Sequence, residues 1–346
     1  MPAAVCPSDL PCAVAPPVEA LEAAGTTPYE VPLPQYLEAL PVPPDNPLTH
    51  AGVSLGRHLF YDPILSGNDT QSCASCHEQE RSFTDGKALS VGSEGRPLER
   101  NAMALINLAW TAPYFWDGRV ETLEELVPIP IQHPDELNQP MPELLEELAA
   151  HADYPQRFER AFPGEGITED TVSKAIAQFL RTLVSFNSRA DLLDRGVVTL
   201  TPAEQQGNAL MIAGFPKRDA PTPDMCDACH KHSAGVREGA SEMGLFTTSE
   251  AKNNGLEPDL RFVVPTIRNV AVTAPYMHDG RLATLEGVLD HYDTKMVGSP
   301  ALEEPLARNG EPIVLGLEEG DREALVAVLG IFTDEVFLSH PAFGPP

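Results

Sequence analysis

The sequence contains no apolar run approaching the ~18 residues that a membrane-spanning helix needs, and no basic start followed by an apolar stretch. The first absence excludes a spanning helix, and the second leaves no export signal visible. Sustained polar–apolar alternation is also missing, so little sheet is expected. Basic residues are scarce: 23 Lys and Arg stand against 51 Asp and Glu, a formal net charge of −28. Such a surface repels nucleic acid and anionic lipid, and it either suits a partner that is basic at its docking face or serves only solubility. Apolar material is ample, at 42% of 346 residues. That excludes collagen-like and wholly disordered classes and is enough for two buried cores. The 35 prolines predict long irregular loops.

Cysteine is sparse but patterned. Four of the six form two identical frames, Cys73-Ala-Ser-Cys76-His77 and Cys226-Asp-Ala-Cys229-His230. C-x-x-C-H is the pattern of covalent haem attachment: two thiols add to the two vinyl groups of one macrocycle, and the adjacent imidazole reaches the iron. One such pentapeptide arises by chance in roughly one chain in a few hundred, and two essentially never. The alternatives are a redox dithiol or half of a zinc site. A four-thiolate zinc site would leave both histidines idle and seldom pairs cysteines so far apart. The frames predict two haem c groups, with His77 and His230 as proximal ligands. Attachment of this kind occurs outside the cytoplasm. A periplasmic or otherwise exported protein is therefore expected, read here as a mature region without its signal. That compartment permits a Cys6–Cys12 disulfide. A lipid-anchor remnant at Cys6 is the alternative, although the residues before it match that pattern poorly.

An internal repeat accompanies the two frames. The segments 107–127 (NLAWTAPYFWDGRVETLEELV) and 269–289 (NVAVTAPYMHDGRLATLEGVL) share twelve of 21 positions at a constant offset of 162. Upstream, GRHLF at 56–60 resembles GNALM at 207–211. An all-α chain of two tandem cytochrome c-like domains is expected, related by duplication, with long loops. The divisions are a Pro-rich tail over 1–40, an N-terminal domain over 41–198 and a C-terminal domain over 199–346. Helical spacing marks 142–150 and 169–185, and Thr201 with Glu204 reads as a capping box. A helix over 321–332 is expected to end the ordered chain.

The copies differ at positions that carry chemistry. Tyr292 follows Thr284 on a helix and can ligate the second iron as a phenolate. The matching residue of the first copy, Pro130, has no donor atom. One iron would then be closed and the other open. Tyr292 can equally be a core aromatic, and His291, Met296, Met277 and His278 are rival ligands. Glu136, close to Pro130, is placed to move a proton between the two oxygens of peroxide, or is simply a loop carboxylate. Trp116 stands where the second copy has His278. Its indole can relay an electron, or can be core.

Together these residues resemble the bacterial di-haem cytochrome c peroxidase and MauG superfamily over roughly residues 45–335. The resemblance rests on the paired C-x-x-C-H frames, FWDGR at 115–119 and RN-x-A-x-TAPY-x-x-DG at 268–280. It implies a peroxide site at the N-terminal haem and an electron-transfer haem in the second domain. It also implies that Glu136 is the distal glutamate and Trp116 the tryptophan between the haems. Asn101 and the backbone oxygens of Thr273 and Pro275 would form a Ca²⁺ site between the domains, and oxygen-only ligation suits that ion. The family contains monomers and homodimers. Ordinary members carry methionine where this chain has Tyr292, and tyrosine there resembles the MauG-like branch. Many members close the resting first haem with a histidine after a Val-Gly pair, whereas here Val91-Gly92 precedes Ser93. With no histidine between His77 and His133, an open peroxide site at rest is expected. The expected function is a MauG-like peroxide-dependent oxidase, which draws electrons near the second haem from a redox partner, aromatic residues of a protein substrate included. The alternatives are a peroxidase fed by a small c-type cytochrome or copper protein, and a di-haem carrier without a catalytic step.

Overall fold

The computed structural model describes residues 24–33, 37, 39–213, 227–230, 251–252, 254, 256–257, 260–302 and 305–346. Cys6, Cys12 and Cys226 lie outside them, and so does the question of a Cys6–Cys12 bridge. The described structure is mainly helical. The first copy runs through α1 (His50–Tyr61), α2 (Leu123–Leu126), α3 (Pro128–Gln132), α4 (Met141–Ala150), α5 (Tyr154–Ala161) and α6 (Glu169–Thr182). After α7 (Arg189–Asp194), the second copy contains α8 (Pro202–Ala213), α9 (Asp227–His230), α10 (Leu285–Asp290) and α11 (Glu319–Gly330). A last helix, α12, spans Glu335–Ser339. Among the described residues, sheet is limited to two short antiparallel pairs, Ala251–Lys252 with Phe262–Val263 and Ala307–Arg308 with Glu311–Pro312.

Each copy is built on one close helix crossing. Helix α1 starts at Thr49, whose side chain accepts from Gly52 N. It buries Leu55, Leu59 and Phe60 against α6. A Cβ at Gly56 would lie 1.9 Å from the Ala175 carbonyl oxygen, so only glycine lets the backbones meet. The second copy repeats this at α8, where Thr201 and Glu204 cap each other (2.8 and 3.4 Å). Gly207 faces α11, and a Cβ there would lie 2.1 Å from Ala324 O. Gly56→Ala and Gly207→Ala are each expected to cost about 1–3 kcal/mol through overpacking. Thermal unfolding of the haem-loaded protein measures this. An unchanged midpoint would show that the crossings open without loss.

The repeat extends to backbone detail. Tyr114 OH donates to Leu108 O (2.8 Å) and Tyr276 OH to Val270 O (2.9 Å), at the same offset. Asn107 and Asn269 both adopt the left-handed conformation, and Thr122 and Thr284 both cap the following helix.

One expectation about the chain ends needs revision. Helix 321–332 does not end the ordered chain. Residues 335–346 return to the first copy, where Phe337 joins its core. There Arg57 donates to the carbonyls of Pro341 (2.7 Å), Gly344 (2.7 Å) and Pro345 (2.8 Å). The described part of the Pro-rich start also packs on the body. Leu37 is buried with Trp110 and Val184, and Tyr29 N donates to Leu48 O (2.9 Å). Apolar side chains that would otherwise face water drive both contacts.

Candidate functional site

A cavity of about 600 Å³ lies inside the first copy and reaches the second. Cys73, Cys76 and His77 line it from a short 3₁₀ turn that Ser72 and Ser75 cap. The His77 Nδ1–H donates to Phe83 O (2.7 Å), which leaves Nε2 for a metal. Burial also holds this imidazole below its ordinary pKa, in the neutral form that ligation requires. The Cys73 thiol is pushed up to about 12 by burial, opposite to the lowered thiol of a redox dithiol. A roomy apolar cavity, two thiols and a tautomer-locked histidine fit haem c.

Pro130 and Glu136 line the same cavity. Burial raises the Glu136 carboxyl above the usual carboxylate range, while His133 and Arg119 pull it back. Its Oε1 lies 4.0 Å from His133 Nδ1. The loop that carries Glu136 is held from outside. Ser93 N and Oγ donate to Glu136 O (2.8 and 3.0 Å), and Ser93 Oγ also reaches Leu137 O (3.1 Å). A Cβ at Gly92 would lie 1.9 Å from Asp135 O. Arg96 pairs with Asp135 and the Pro134 carbonyl. Ser93 therefore braces the glutamate's loop.

Trp116, Asn101, Thr273 and Pro275 also line this cavity, on its side toward the second copy. Trp116 Nε1 donates to Asn101 O (2.9 Å), and Asn101 N donates to His278 O (2.8 Å). The Asn101 amide nitrogen faces the carbonyls of Lys87 (2.8 Å) and Ala88 (3.2 Å). The set of neutral oxygens offered by Asn101, Thr273 and Pro275 suits a hard cation. Trp116 meets Phe262 edge-on at 6.3 Å, and Phe262 stacks on His278 at 4.0 Å. The two residues that differ at one repeat position thus flank a single phenyl ring.

The second frame contributes Cys229 and His230. The His230 Nδ1–H donates to Pro265 O (2.9 Å), as His77 does to Phe83. Pro265 also lines the first cavity, so the two candidate centres adjoin. Helix α10 continues into a π-helical turn, His291–Lys295, that carries Tyr292. Tyr292 is half-buried against the second core. The rival residues have contacts of their own, as Tyr292 does with the His291 ring (centroids 5.1 Å). His291 Nε2 bonds Asn254 O (2.7 Å), and His278 stacks on Phe262. Met277 lines the first cavity, and Met296 is buried in the second core.

Residues 50–198 match the family described as di-haem cytochrome c peroxidase. The methylamine utilization protein MauG of Methylorubrum extorquens is 35% identical over 262 residues, covering 74% of this chain and 72% of that protein. The chain belongs to the di-haem cytochrome c peroxidase family. The cytochrome c551 peroxidase of Nitrosomonas europaea is 33% identical over 246 residues, 68% of this chain and 71% of that protein. The crystal structure of a MauG-like protein associated with microbial copper homeostasis superposes with a TM-score of 0.78 at 32% identity, over 92% of this chain and 99% of that one. As a di-haem cytochrome c peroxidase, the protein is a haem-dependent oxidoreductase that acts on peroxide, and the family implies two haem c groups.

Sequence reasoning missed Arg119, Phe262 and Ser93's bracing role. Arg119 lines the cavity, sits 3.7 Å above the Phe115 ring and bonds Asp117 (2.8 and 3.0 Å). The DGR triplet shared by both copies was an available signal for it. Phe262 lies outside the repeat, and no local pattern marks it.

Proposed function

We propose that this di-haem peroxidase works in the MauG manner, taking electrons from a partner protein through the second haem. One observation carries the reading: Pro130 lines the first cavity, whereas the matching residue in the second copy is Tyr292 on its π-helical turn. Proline offers no donor atom, so at that position nothing would compete with a small ligand for a haem held by Cys73, Cys76 and His77. With haem attached through Cys226 and Cys229, His230 and Tyr292 would hold its iron, Tyr292 as a phenolate. When bound, the two haems supply the iron that cleaves peroxide and stores its oxidising equivalents. Glu136, on the cavity wall, would be the group that takes up and returns the proton that cleavage of a bound peroxide requires. Reduction of each peroxide to two waters consumes two electrons and two protons. Trp116, tied to Asn101, passes electrons between the centres. Asn101 with the Thr273 and Pro275 carbonyls would hold Ca²⁺, which would tie the two copies together at that point.

Likeness to the methylamine utilization protein MauG and to a MauG-like protein associated with microbial copper homeostasis supports the MauG-like reading, and the substrate proposed with it is a protein with oxidisable aromatic side chains. Export follows from covalent haem attachment, which takes place outside the cytoplasm. The acidic chain favours a partner with a basic docking face.

Low-temperature EPR of the oxidised holoprotein tests the reading. One high-spin and one low-spin ferric signal are expected at rest, and both should fade on one equivalent of peroxide without prior reduction. Two low-spin signals, with sustained turnover of a reduced small cytochrome, would instead assign a conventional peroxidase like that of Nitrosomonas europaea.

A further inference from the structure

We propose that the second copy positions the proximal histidine of the first, through Asn269 and α12, which hold the strained turn at Ser82 and Phe83. The proposal rests on His77 being the first haem's ligand. The Phe83 carbonyl accepts from the His77 Nδ1–H at 2.7 Å. Ser82 (φ 54°) and Phe83 (φ 61°) are consecutive non-glycine residues in the left-handed region. Such backbone is sparsely populated and persists only where its surroundings over-determine it. Both residues are fully buried.

The holding groups come from the far end of the chain. Asn269 Nδ2 donates to Ser82 Oγ (3.0 Å), and Asn269 Oδ1 accepts from Asp334 N (2.7 Å). Asp334 starts α12 by accepting from Phe337 N (3.0 Å). The Phe337 ring then packs on Phe83, with centroids 5.7 Å apart. Gln79, in the same turn, donates to the carbonyls of Phe337 (3.0 Å) and His340 (2.9 Å). The matching residue in the first copy, Asn107, pairs with the Ser185 backbone (2.8 and 3.3 Å).

The consequence is electronic. A firm Nδ1–H···O bond gives the imidazole anionic character and makes it a stronger donor to iron. Loosening the turn weakens that bond. Ser82→Ala removes one contact and leaves the backbone intact, while Asn269→Ala removes the anchor. The test is resonance Raman of the reduced holoprotein, with potentials of both haems measured by spectroelectrochemistry. Each variant should lower the Fe–His stretching frequency and raise the potential of the first haem, leaving the second unchanged. kcat/KM for peroxide should fall roughly tenfold. The double variant should do no more than Asn269→Ala. If Asn269→Ala fails to fold, Ser82→Ala carries the test. A lowered melting temperature with band and potential unmoved would overturn the proposal and leave a structural tie only. A wild-type spectrum without an Fe–His band would overturn the ligation reading, and the proposal with it.

Discussion

Glu136→Gln is expected to lower kcat/KM for peroxide by roughly 10²- to 10⁴-fold, the usual worth of a positioned acid–base group. Gln keeps the shape and loses the proton transfer. Stopped-flow mixing of the oxidised holoprotein with peroxide measures it. Burial raises the Glu136 carboxyl, and the base must be ionised. Wild-type kcat/KM should therefore climb with pH through an inflection above the ordinary carboxylate range. That inflection should vanish in the variant. The effect on stability runs the other way. A folded-state pKa above the unfolded value means that the native protein binds the proton more tightly. This contribution is full below the unfolded pKa and is lost as pH rises through the folded one. At neutral pH the Gln variant should melt no lower than wild type. An unchanged kcat/KM would make Glu136 a loop carboxylate.

Tyr292→Phe should abolish the low-spin ferric signal of the second haem, because phenylalanine offers no oxygen to the iron. Tyr292→Met should restore a low-spin haem with a potential higher by several hundred mV, since axial ligands move haem potentials over ~0.8 V. An anionic phenolate stabilises ferric iron and a thioether does not. EPR and spectroelectrochemistry read both variants. The second haem retaining its low-spin signal in Tyr292→Phe would make Tyr292 a core aromatic. The tyrosine is well braced for the role. On α11, Arg322 donates to Asp290 (3.0 Å) and Asp293 (2.8 Å), which flank it. Asp293 also accepts from Gly316 N (2.7 Å). These bonds pin the start and the middle of the turn, and a shift of one residue would break them.

Much of the fold was legible because its signals are local. The capping box of Thr201 and Glu204 acts within three residues. Glycines 56 and 207 announced themselves as matched positions in a repeat. The first candidate site was also largely legible. Cys73, Cys76, His77, Glu136, Trp116, Asn101, Thr273 and Pro275 meet on one cavity. What escaped was long-range. Nothing near Phe337 marks it as part of the first copy's core, and an isolated Phe262 carries no pattern. Helix register at Tyr292 was equally unreadable, because a π-helical turn shifts the periodicity that sequence reading assumes.

The sequence by itself determined the covalent haem frames, the duplication, the helical class and the acidic surface. Attachment chemistry, capping and charge depend on residue identity and short spacing. Only the tertiary structure decided that Ser93 braces the Glu136 loop, that Phe262 stands between Trp116 and His278, and that Asn269 reaches Ser82 across 187 residues. Those contacts form where separate elements happen to pack, and a one-dimensional pattern carries no trace of which distant surfaces will meet.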